Sequence, residues 1–346
     1  MAQDVSTTLL RATPTLFAAL LVYAAGCESK RVPEPTPAPA PAPVPVASAS
    51  APGSASAATP SDSASSEPSS LPKGSPRFSW KAPLSVSVEE DVDQQGQHMQ
   101  FAYHLDVCPG DAGTVLVSHR GVTVTQVNGV PTAGKERTAE LRQIEAAASA
   151  LPTMIIDRSG AFVRGTGYAE MIKRAATVFP GEEFADLRAF MASGQAPAIL
   201  DVTLAQLWQS WVGVWLRFDP AHGASQEATD RDAGPGASRI SMSYGGLTPE
   251  GHVKLAAHRV PTKDELLRLA GATGSMDPAQ AASISQAAVL DWNTETEWPD
   301  IRPARARSRR SATMTVQGKE QTVAEDHVYR FDWRPGEANK PQCPAR

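Results

Sequence analysis

The stretch Gln97-His-Met-Gln-Phe-Ala-Tyr-His-Leu-Asp-Val-Cys108 alternates apolar and polar side chains at every second position. Successive side chains of a β-strand point to opposite faces, so this alternation predicts a strand with one face in a core and one toward water. Gln100, His104 and Asp106 would lie on the wet face. The core face would carry Met99, Phe101, Tyr103, Leu105 and Val107.

The same period of two recurs on both sides of this stretch, in short segments separated by turn residues. Asp157-Arg-Ser-Gly160 separates two segments, at 154–156 and 161–164, and is typical of a hairpin turn. The parity of the alternation changes at Gly121, which predicts a bulge or a turn there. The other segments contain Leu84, Val86 and Val88; Val115 and Val117; Val122 and Val124; Ile240, Met242 and Tyr244; Val253 and Leu255; Ala312, Met314 and Val316; and Tyr329, Phe331 and Trp333.

Helical spacing of three and four residues fills the middle of the chain. Four amphipathic stripes predict helices, formed by Leu141, Ile144, Ala148 and Leu151; by Tyr168, Met171, Ile172, Ala175 and Phe179; by Phe184, Leu187, Phe190 and Met191; and by Leu204, Leu207, Trp208, Trp211 and Trp215. A capping box from Thr262 to Glu265 predicts a fifth helix, and Asp277-Pro278 predicts the start of a sixth. Hairpins, then helices, then hairpins again favour an α+β fold with antiparallel sheet or sheets and a helical middle section.

The amino terminus has the character of an export signal. Residues 16–25 are an unbroken run of ten apolar residues after Arg11, whereas a membrane-spanning helix needs about 20. The run ends in Ala24-Ala25-Gly26-Cys27, which resembles the lipobox of bacterial lipoproteins. The resemblance implies that residues 1–26 are a signal peptide, that cleavage precedes Cys27, and that Cys27 is acylated. It therefore implies a partner, the membrane, and a place in the cell envelope, with the outer membrane favoured.

Residues 27–75 read as a tether between this anchor and a folded body. From Val32 to Pro76 the sequence is a Pro-Ala repeat followed by Ala, Ser and Pro, a composition that cannot bury enough apolar area to fold. We therefore predict a disordered linker at 27–75 and a globular α+β domain at 76–346. The polar stretch 220–238 is either a mobile loop or an internal seam, so one sheet and two subdomains are both open.

Two cysteines remain once Cys27 is assigned to the lipid. Cys108 ends a predicted strand at Cys-Pro-Gly-Asp, and Cys343 lies in a polar tail that would not pack alone. An exported protein with an even number of remaining cysteines favours a disulfide, so we predict a bond between Cys108 and Cys343.

Composition excludes some function classes and leaves others open. A formal net charge of -5 argues against nucleic-acid binding, which needs a basic excess. The sequence contains no Gly-x-Ser-x-Gly and no His-Glu-x-x-His, so we predict no metal site and no cofactor, and a non-enzymatic role is favoured. The acidic stretch with Asp291, Glu295, Glu297 and Asp300 reads as an exposed loop, although two of these acids could form a catalytic pair.

Three tryptophans, Trp208, Trp211 and Trp215, form one helical stripe. Packing against the sheet and an aromatic platform for a ligand are both consistent with this spacing. Three functions follow: an anchored protein that binds or scaffolds an envelope component, an anchored hydrolase that uses the 291–300 carboxylates on envelope polymers, and a carrier of a lipid or other hydrophobic ligand.

Overall fold

A computed structural model describes residues 70–94, 96–133, 138–179, 181, 185–194, 196–229, 238–262, 265, 288–316, 319–335 and 340–343. The signal peptide, Cys27 and nearly all of the tether therefore lie outside the described residues. So do the sixth helix at Asp277-Pro278 and the helix that would follow the capping box. The capping box itself is present, because Thr262 Oγ1 accepts from Glu265 N at 3.3 Å and Glu265 Oε2 accepts from Thr262 N at 2.7 Å.

The described strands form one antiparallel sheet of twelve, in the order β6-β5-β3-β2-β1-β12-β11-β10-β9-β8-β7, with β4 paired to β3. This confirms the predicted α+β class. The strands are β1 (Leu84–Gln94), β2 (Gln97–Pro109), β3 (Val115–Val127), β4 (Val130–Pro131), β5 (Thr153–Ile156), β6 (Phe162–Thr166), β7 (Ser225–Thr229), β8 (Arg239–Leu247), β9 (Val253–Arg259), β10 (Val289–Glu297), β11 (Arg302–Val316) and β12 (Lys319–Asp332).

The first and last of the described strands, β1 and β12, are neighbours in the centre of this sheet. The chain runs outward from β1 to the edge at β6, continues through the helices, re-enters at the opposite edge with β7, and returns inward to β12. β1 then pairs with both β2 and β12, so that Val88 lies opposite Tyr103 on one side and Phe331 on the other. β7 belongs to the same sheet as β1 and β12.

Four helices in the described residues connect the two edges: α1 (Ala139–Ser149), α2 (Tyr168–Val178), α3 (Ala185–Ala192) and α4 (Ala196–Trp208). Thr138 caps α1 by accepting a hydrogen bond from Leu141 N at 3.2 Å. After α4 the chain continues as a π-helical turn, Gln209–Gly213, and a 3-10 turn, Trp215–Arg217. α1 packs against β3, α4 against β6, and the π-helical turn against β11 and β10, so a helical layer lies across one face, here called the inner face.

Three strands, β4, β7 and β10, were missed by the sequence analysis, and β7 lies within the stretch 220–238 that was expected to be a mobile loop or a seam. The acidic stretch was expected to be an exposed loop, and that prediction was wrong because residues 289–297 form β10. The inward positions of β10 are Leu290, which is partly buried, and Trp292, Thr294 and Thr296, which are buried. Threonine at two of these four positions hides the apolar period on which the prediction depended.

The carboxyl-terminal tail is fastened to the outer face, the side of the sheet away from the helices. Cys108 and Cys343 form a disulfide with a Cα–Cα distance of 5.5 Å. Gln342 N donates to Asp106 Oδ2 at 3.2 Å, and Arg120 Nε donates to the same oxygen at 2.7 Å. Beneath this tail Asp106 is only 1% exposed, although its strand position is one that faces water elsewhere in the sheet.

Candidate functional site

A cavity of about 100 Å³ lies between the inner face and the helical layer. Side chains from the central strands form its floor. Its roof consists of side chains from α1, from α4 and from the π-helical turn after α4, where Ser210 lies. Its apolar walls include Phe101, Val122, Leu151, Leu207, Leu290 and Trp292. An apolar concavity with a few convergent polar groups is the usual form of a small-molecule site.

The bulge at Gly121 gives the cavity part of its wall. Gly121 has φ +64°, and the pairing of β2 with β3 shifts register at this point. Before the bulge His119 lies opposite Leu105 and therefore faces inward; after it Val124 lies opposite Phe101 and also faces inward. Without the extra residue the two segments could not both face the cavity, since a shift of one residue reverses every side chain. The predicted bulge is confirmed.

Glu90 is a carboxylate on the inner face of β1, between valines that are fully buried. His327 Nδ1 donates to Glu90 Oε1 at 2.8 Å, and the exposed fractions of these side chains are 3% for His327 and 15% for Glu90. Tyr103 and Tyr329 flank the carboxylate. Burial and then the charge of Glu90 raise the pKa of both phenols well above the ordinary value, so they are hydrogen-bond donors at neutral pH.

His119 adds an imidazole to the same cavity. It lies 5.3 Å from the Tyr103 ring and 6.0 Å from the Trp211 ring. Burial lowers the pKa of His119 to about 4, against a smaller opposing effect of Glu90, so the ring is neutral at pH 7. Within the described part of the chain, His119 Nδ1 and Trp211 Nε1 are buried without a hydrogen-bond partner.

Arg310 is the cation of the cavity, and it is already engaged. Its Nε forms a short ion pair with Glu325 Oε2, and its Nη1 donates to Gln206 on α4 at 3.1 Å. Gln94 Nε2 donates to the second Glu325 oxygen at 2.8 Å. The guanidinium thus ties the sheet to the helical layer, and its charge is balanced by Glu325.

The tryptophan stripe lies in the core. Trp208, Trp211 and Trp215 are each 0% exposed, so they offer no open aromatic platform. Trp208 Nε1 donates to Gly160 O at 2.8 Å, and Trp211 packs edge-on against Tyr329 at 5.6 Å. Packing against the sheet was one of the two interpretations of this stripe, and the structure places the rings there.

The four acids of 291–300 are not brought together as a catalytic pair facing the tryptophans. Asp291 and Glu295 alternate with the inward residues of β10 and so lie on the outer face. Asp291 Oδ1 is 2.7 Å from His258 Nδ1, Glu297 pairs with Arg302 at 3.4 Å, and Asp300 forms a short pair with Arg77. The expected cleft for a carboxylate hydrolase is therefore absent from the described residues.

The outer face has a second concavity of about 680 Å³, lined by polar residues of β7 to β11. Strand register aligns Ser241, His258 and Asp291 in one row. Among the described residues no hydrogen bond joins the Ser241 hydroxyl to His258, so the row lacks the contact between nucleophile and base that acyl transfer requires.

The polar groups of the inner cavity were missed by the sequence analysis. Glu90 and His327 each occupy a core-facing position of a strand whose other inward residues are mostly apolar. A polar residue at a position where the period predicts an apolar one was the available signal. In the residues that the structure describes, no cluster of His, Cys, Asp or Glu is suited to a metal ion, and no helix has the length and apolarity of a transmembrane span.

Comparison with known proteins identifies no relative by sequence: no family model and no curated protein matches the chain. Among solved structures, lipovitellin, in a structure concerned with lipid–protein interactions, is 8% identical with a TM-score of 0.38, covering 76% of this chain and 25% of that one. A DUF1329 family protein from Desulfovibrio piger ATCC 29098 is 8% identical with a TM-score of 0.16, covering 72% and 84%. This chain thus spans a quarter of the lipovitellin chain. Both scores are too low to support an argument about function.

Proposed function

We propose that this protein is a lipid-anchored binding protein of the cell envelope that takes an amphipathic ligand, such as a lipid, into the inner cavity. The observation that carries the proposal is the combination of apolar walls with the buried polar group Glu90–His327 inside one cavity. Apolar walls favour a hydrocarbon part, because its transfer from water contributes about 25 cal/mol per Å². The buried polar atoms favour a ligand that also has a polar end.

The fold supports this proposal because the cavity lies at a joint between two layers. Its floor belongs to the sheet, and its roof belongs to α1, α4 and the turn after α4. Arg310 and Gln206 connect the layers across it. A ligand can therefore be enclosed by side chains of the roof without a change in the strand pairing that holds the sheet together.

The binding proposal is tested by filling the cavity. Ala148 on α1 lines it, so Ala148→Leu adds carbon atoms where the ligand would lie. The full chain carrying Cys27→Ala, which removes competing acyl chains and detergent, is titrated with n-octanol by isothermal calorimetry. We expect saturable binding that Ala148→Leu weakens on the order of tenfold or more. Ala102→Leu, the same change on the outward-facing side of β2, should leave binding unchanged. No saturable binding, or equal loss in both variants, would contradict the proposal.

The anchor is proposed from the lipobox resemblance and has its own test. Two or three acyl chains would hold the protein firmly on a membrane, where a single chain is marginal. We expect the wild-type chain to incorporate labelled palmitate and to sediment with the outer membrane, and Cys27→Ala to do neither. Glu28→Gln, which leaves Cys27 in place, is the control. A Cys27→Ala chain that still takes up palmitate and stays in the membrane fraction would refute the anchor.

A further inference from the structure

We infer that the inner cavity selects a ligand whose polar end is uncharged and both donates and accepts hydrogen bonds, such as a long-chain alcohol, and that it rejects a carboxylate end. This inference rests on the binding role proposed above and specifies its ligand class. The argument comes from the charges and the hydrogen-bonding capacity of the groups around Glu90.

The charge around the cavity is unfavourable to an anion. Of the residues that line the cavity, Glu90 carries a carboxylate and Arg310 a guanidinium, and Glu325 beside the cavity already balances the charge of Arg310. Arg310 is bonded to Glu325 and Gln206, so an incoming carboxylate would have to displace one of these partners. A second carboxylate near Glu90 would be repelled, since like charges at an interface cost several kcal/mol in binding.

The hydrogen-bonding groups are suited to a hydroxyl. An ionised carboxylate only accepts, and it has about four lone-pair sites. Glu90 already accepts from His327 Nδ1 and from the hydroxyls of Tyr103 and Tyr329, so it retains about one site for a ligand O–H. A neutral imidazole has one donor and one acceptor, and His119 contributes a nitrogen without a partner in the described residues. A hydroxyl can donate to Glu90 while it accepts from a neighbouring donor, whereas a carboxylate can do only the second.

The polar side chains around Glu90 are close enough together to contact the polar end of a single ligand. Glu90 lies directly opposite Phe101 and Tyr329 in the register of the sheet, and Tyr103 is two positions from Phe101 on the same face. The His119 ring is 5.3 Å from the Tyr103 ring. Glu90 also acts on the titration of His119, of Tyr103 and of Tyr329, as expected of neighbours in a poorly solvated space.

The test compares four eight-carbon ligands on the full chain carrying Cys27→Ala, at about pH 7.5, where octanoate is ionised. They are n-octanol, octanamide, methyl octanoate, which accepts but does not donate, and octanoate. We expect octanol and octanamide to bind best, methyl octanoate less well, and octanoate weakest, on the order of tenfold or more below octanol. All four ligands are compared on the same chain, so this order does not depend on whether a cavity variant folds.

A pair of variants then assigns the discrimination to one side chain. Glu90→Gln keeps the size of the side chain and removes its charge, so it should narrow the octanol-to-octanoate ratio on the order of tenfold. Glu89→Gln removes the same charge from the adjacent residue, whose exposed side chain points to the other face of β1, and should leave the ratio unchanged. Octanoate binding as well as octanol, or equal effects of both variants, would overturn the inference while the binding role stands. Absence of binding by all four ligands would instead overturn the binding role.

Discussion

Asp326 and His327 are consecutive residues of β12, and the side chain of each is hydrogen-bonded to a neighbouring strand, but on opposite faces of the sheet. On the outer face Arg307 holds Asp326 through Nε at 2.9 Å, with exposed side-chain fractions of 48% and 25%. On the inner face His327 holds Glu90 at 2.8 Å, with exposed fractions of 3% and 15%. The geometry of the two pairs is similar, whereas their access to water is very different.

This difference decides what each face can do. Water already solvates the outer charges, so their pairing changes the free energy of unfolding little, about 0–1 kcal/mol. On the inner face each buried charge depends on its protein partner, because an unpaired buried charge is costly. The outer face therefore tolerates many charged side chains, and the loss of any one partner there costs little. The inner face carries few charged side chains, and each of them depends on a particular partner.

The largest effect should come from removing an inner-face ring. Trp211 is 0% exposed and packs against Tyr329 and Phe331, so Trp211→Ala should lower the free energy of unfolding by about 3–5 kcal/mol through the cavity it leaves. Urea denaturation followed by circular dichroism measures this. Trp298→Ala at the turn after β10 is the control, and it should cost less because Trp298 is only partly buried. Equal costs would mean that the inner ring is not part of the core.

On the outer face, Asp106 is buried beneath the tail 340–343, and the disulfide should keep this tail on the sheet. Cys108 and Cys343 are 235 residues apart, and removing a bond that closes such a long loop typically costs about 2–5 kcal/mol. We expect the double variant Cys108→Ser, Cys343→Ser to unfold at lower urea by this amount and to show faster amide exchange at residues 340–343. Unchanged exchange would show that the bonds of Asp106 hold the tail without the sulfur bridge.

The two hydrogen-bonded pairs of β12 give the direct test of the comparison. His327→Ala should lower the free energy of unfolding by about 1–3 kcal/mol, because Glu90 stays on the inner face and loses one of its hydrogen-bond donors. Arg307→Ala should cost about 0–1 kcal/mol, because water can replace the guanidinium at Asp326. Matched urea denaturation curves measure both. A larger loss for Arg307→Ala than for His327→Ala would reverse the assignment of the faces.

At Glu265 we expect a smaller contribution to the free energy of unfolding, and this contribution should depend on pH. Burial alone would raise the pKa of Glu265, but hydrogen bonds from Thr262, Ser238 and Arg259 outweigh it and lower the pKa to about 2 from 4.5. Because the folded-state pKa is the lower one, this stabilisation is complete above pH 4.5 and is lost as the pH falls toward about 2.

Glu265→Gln should therefore be less stable than wild type at neutral pH, by about 1–3 kcal/mol, and the gap should close in acid. Glu227→Gln removes a carboxylate paired with Arg239 at the exposed edge, with exposed fractions of 54% and 73%, and should show almost no gap at any pH. Thermal unfolding from neutral pH to about pH 2 compares them. A stability difference between Glu265→Gln and wild type that stays constant down to about pH 2 would contradict the link between the Glu265 pKa and folding.

Much of the fold could be predicted from local pattern. The alternation in β1, β2, β3 and β8, the bulge at Gly121 and the presence of helices α1 to α4 all follow from side chains a few residues apart. Strand β10 was missed because Thr294 and Thr296 occupy inward positions. Only the last part of β11, 312–316, was predicted, because arginines are frequent in its first part. The inner cavity was not predicted, because the tryptophans and acids that are conspicuous in the sequence lie in the core and on the outer face.

The amino-acid sequence by itself determined the elements. These are strands with alternating apolar and polar residues, a helical middle section, and two cysteines in the domain at 76–346. These depend on neighbours within a few residues, and propensity and periodicity report such neighbours directly. Only the tertiary structure decided that β1 lies between β2 and β12, and so brought Glu90, His327 and His119 to one cavity. Glu90 and His327 are 237 residues apart. Pairing over that distance is set by burial of the whole inner face rather than by local preference. The entropic cost of closing a loop rises only slowly with its length, so a large sequence separation does not prevent the pairing. Any strand register that buries the apolar side chains can compete with the observed one.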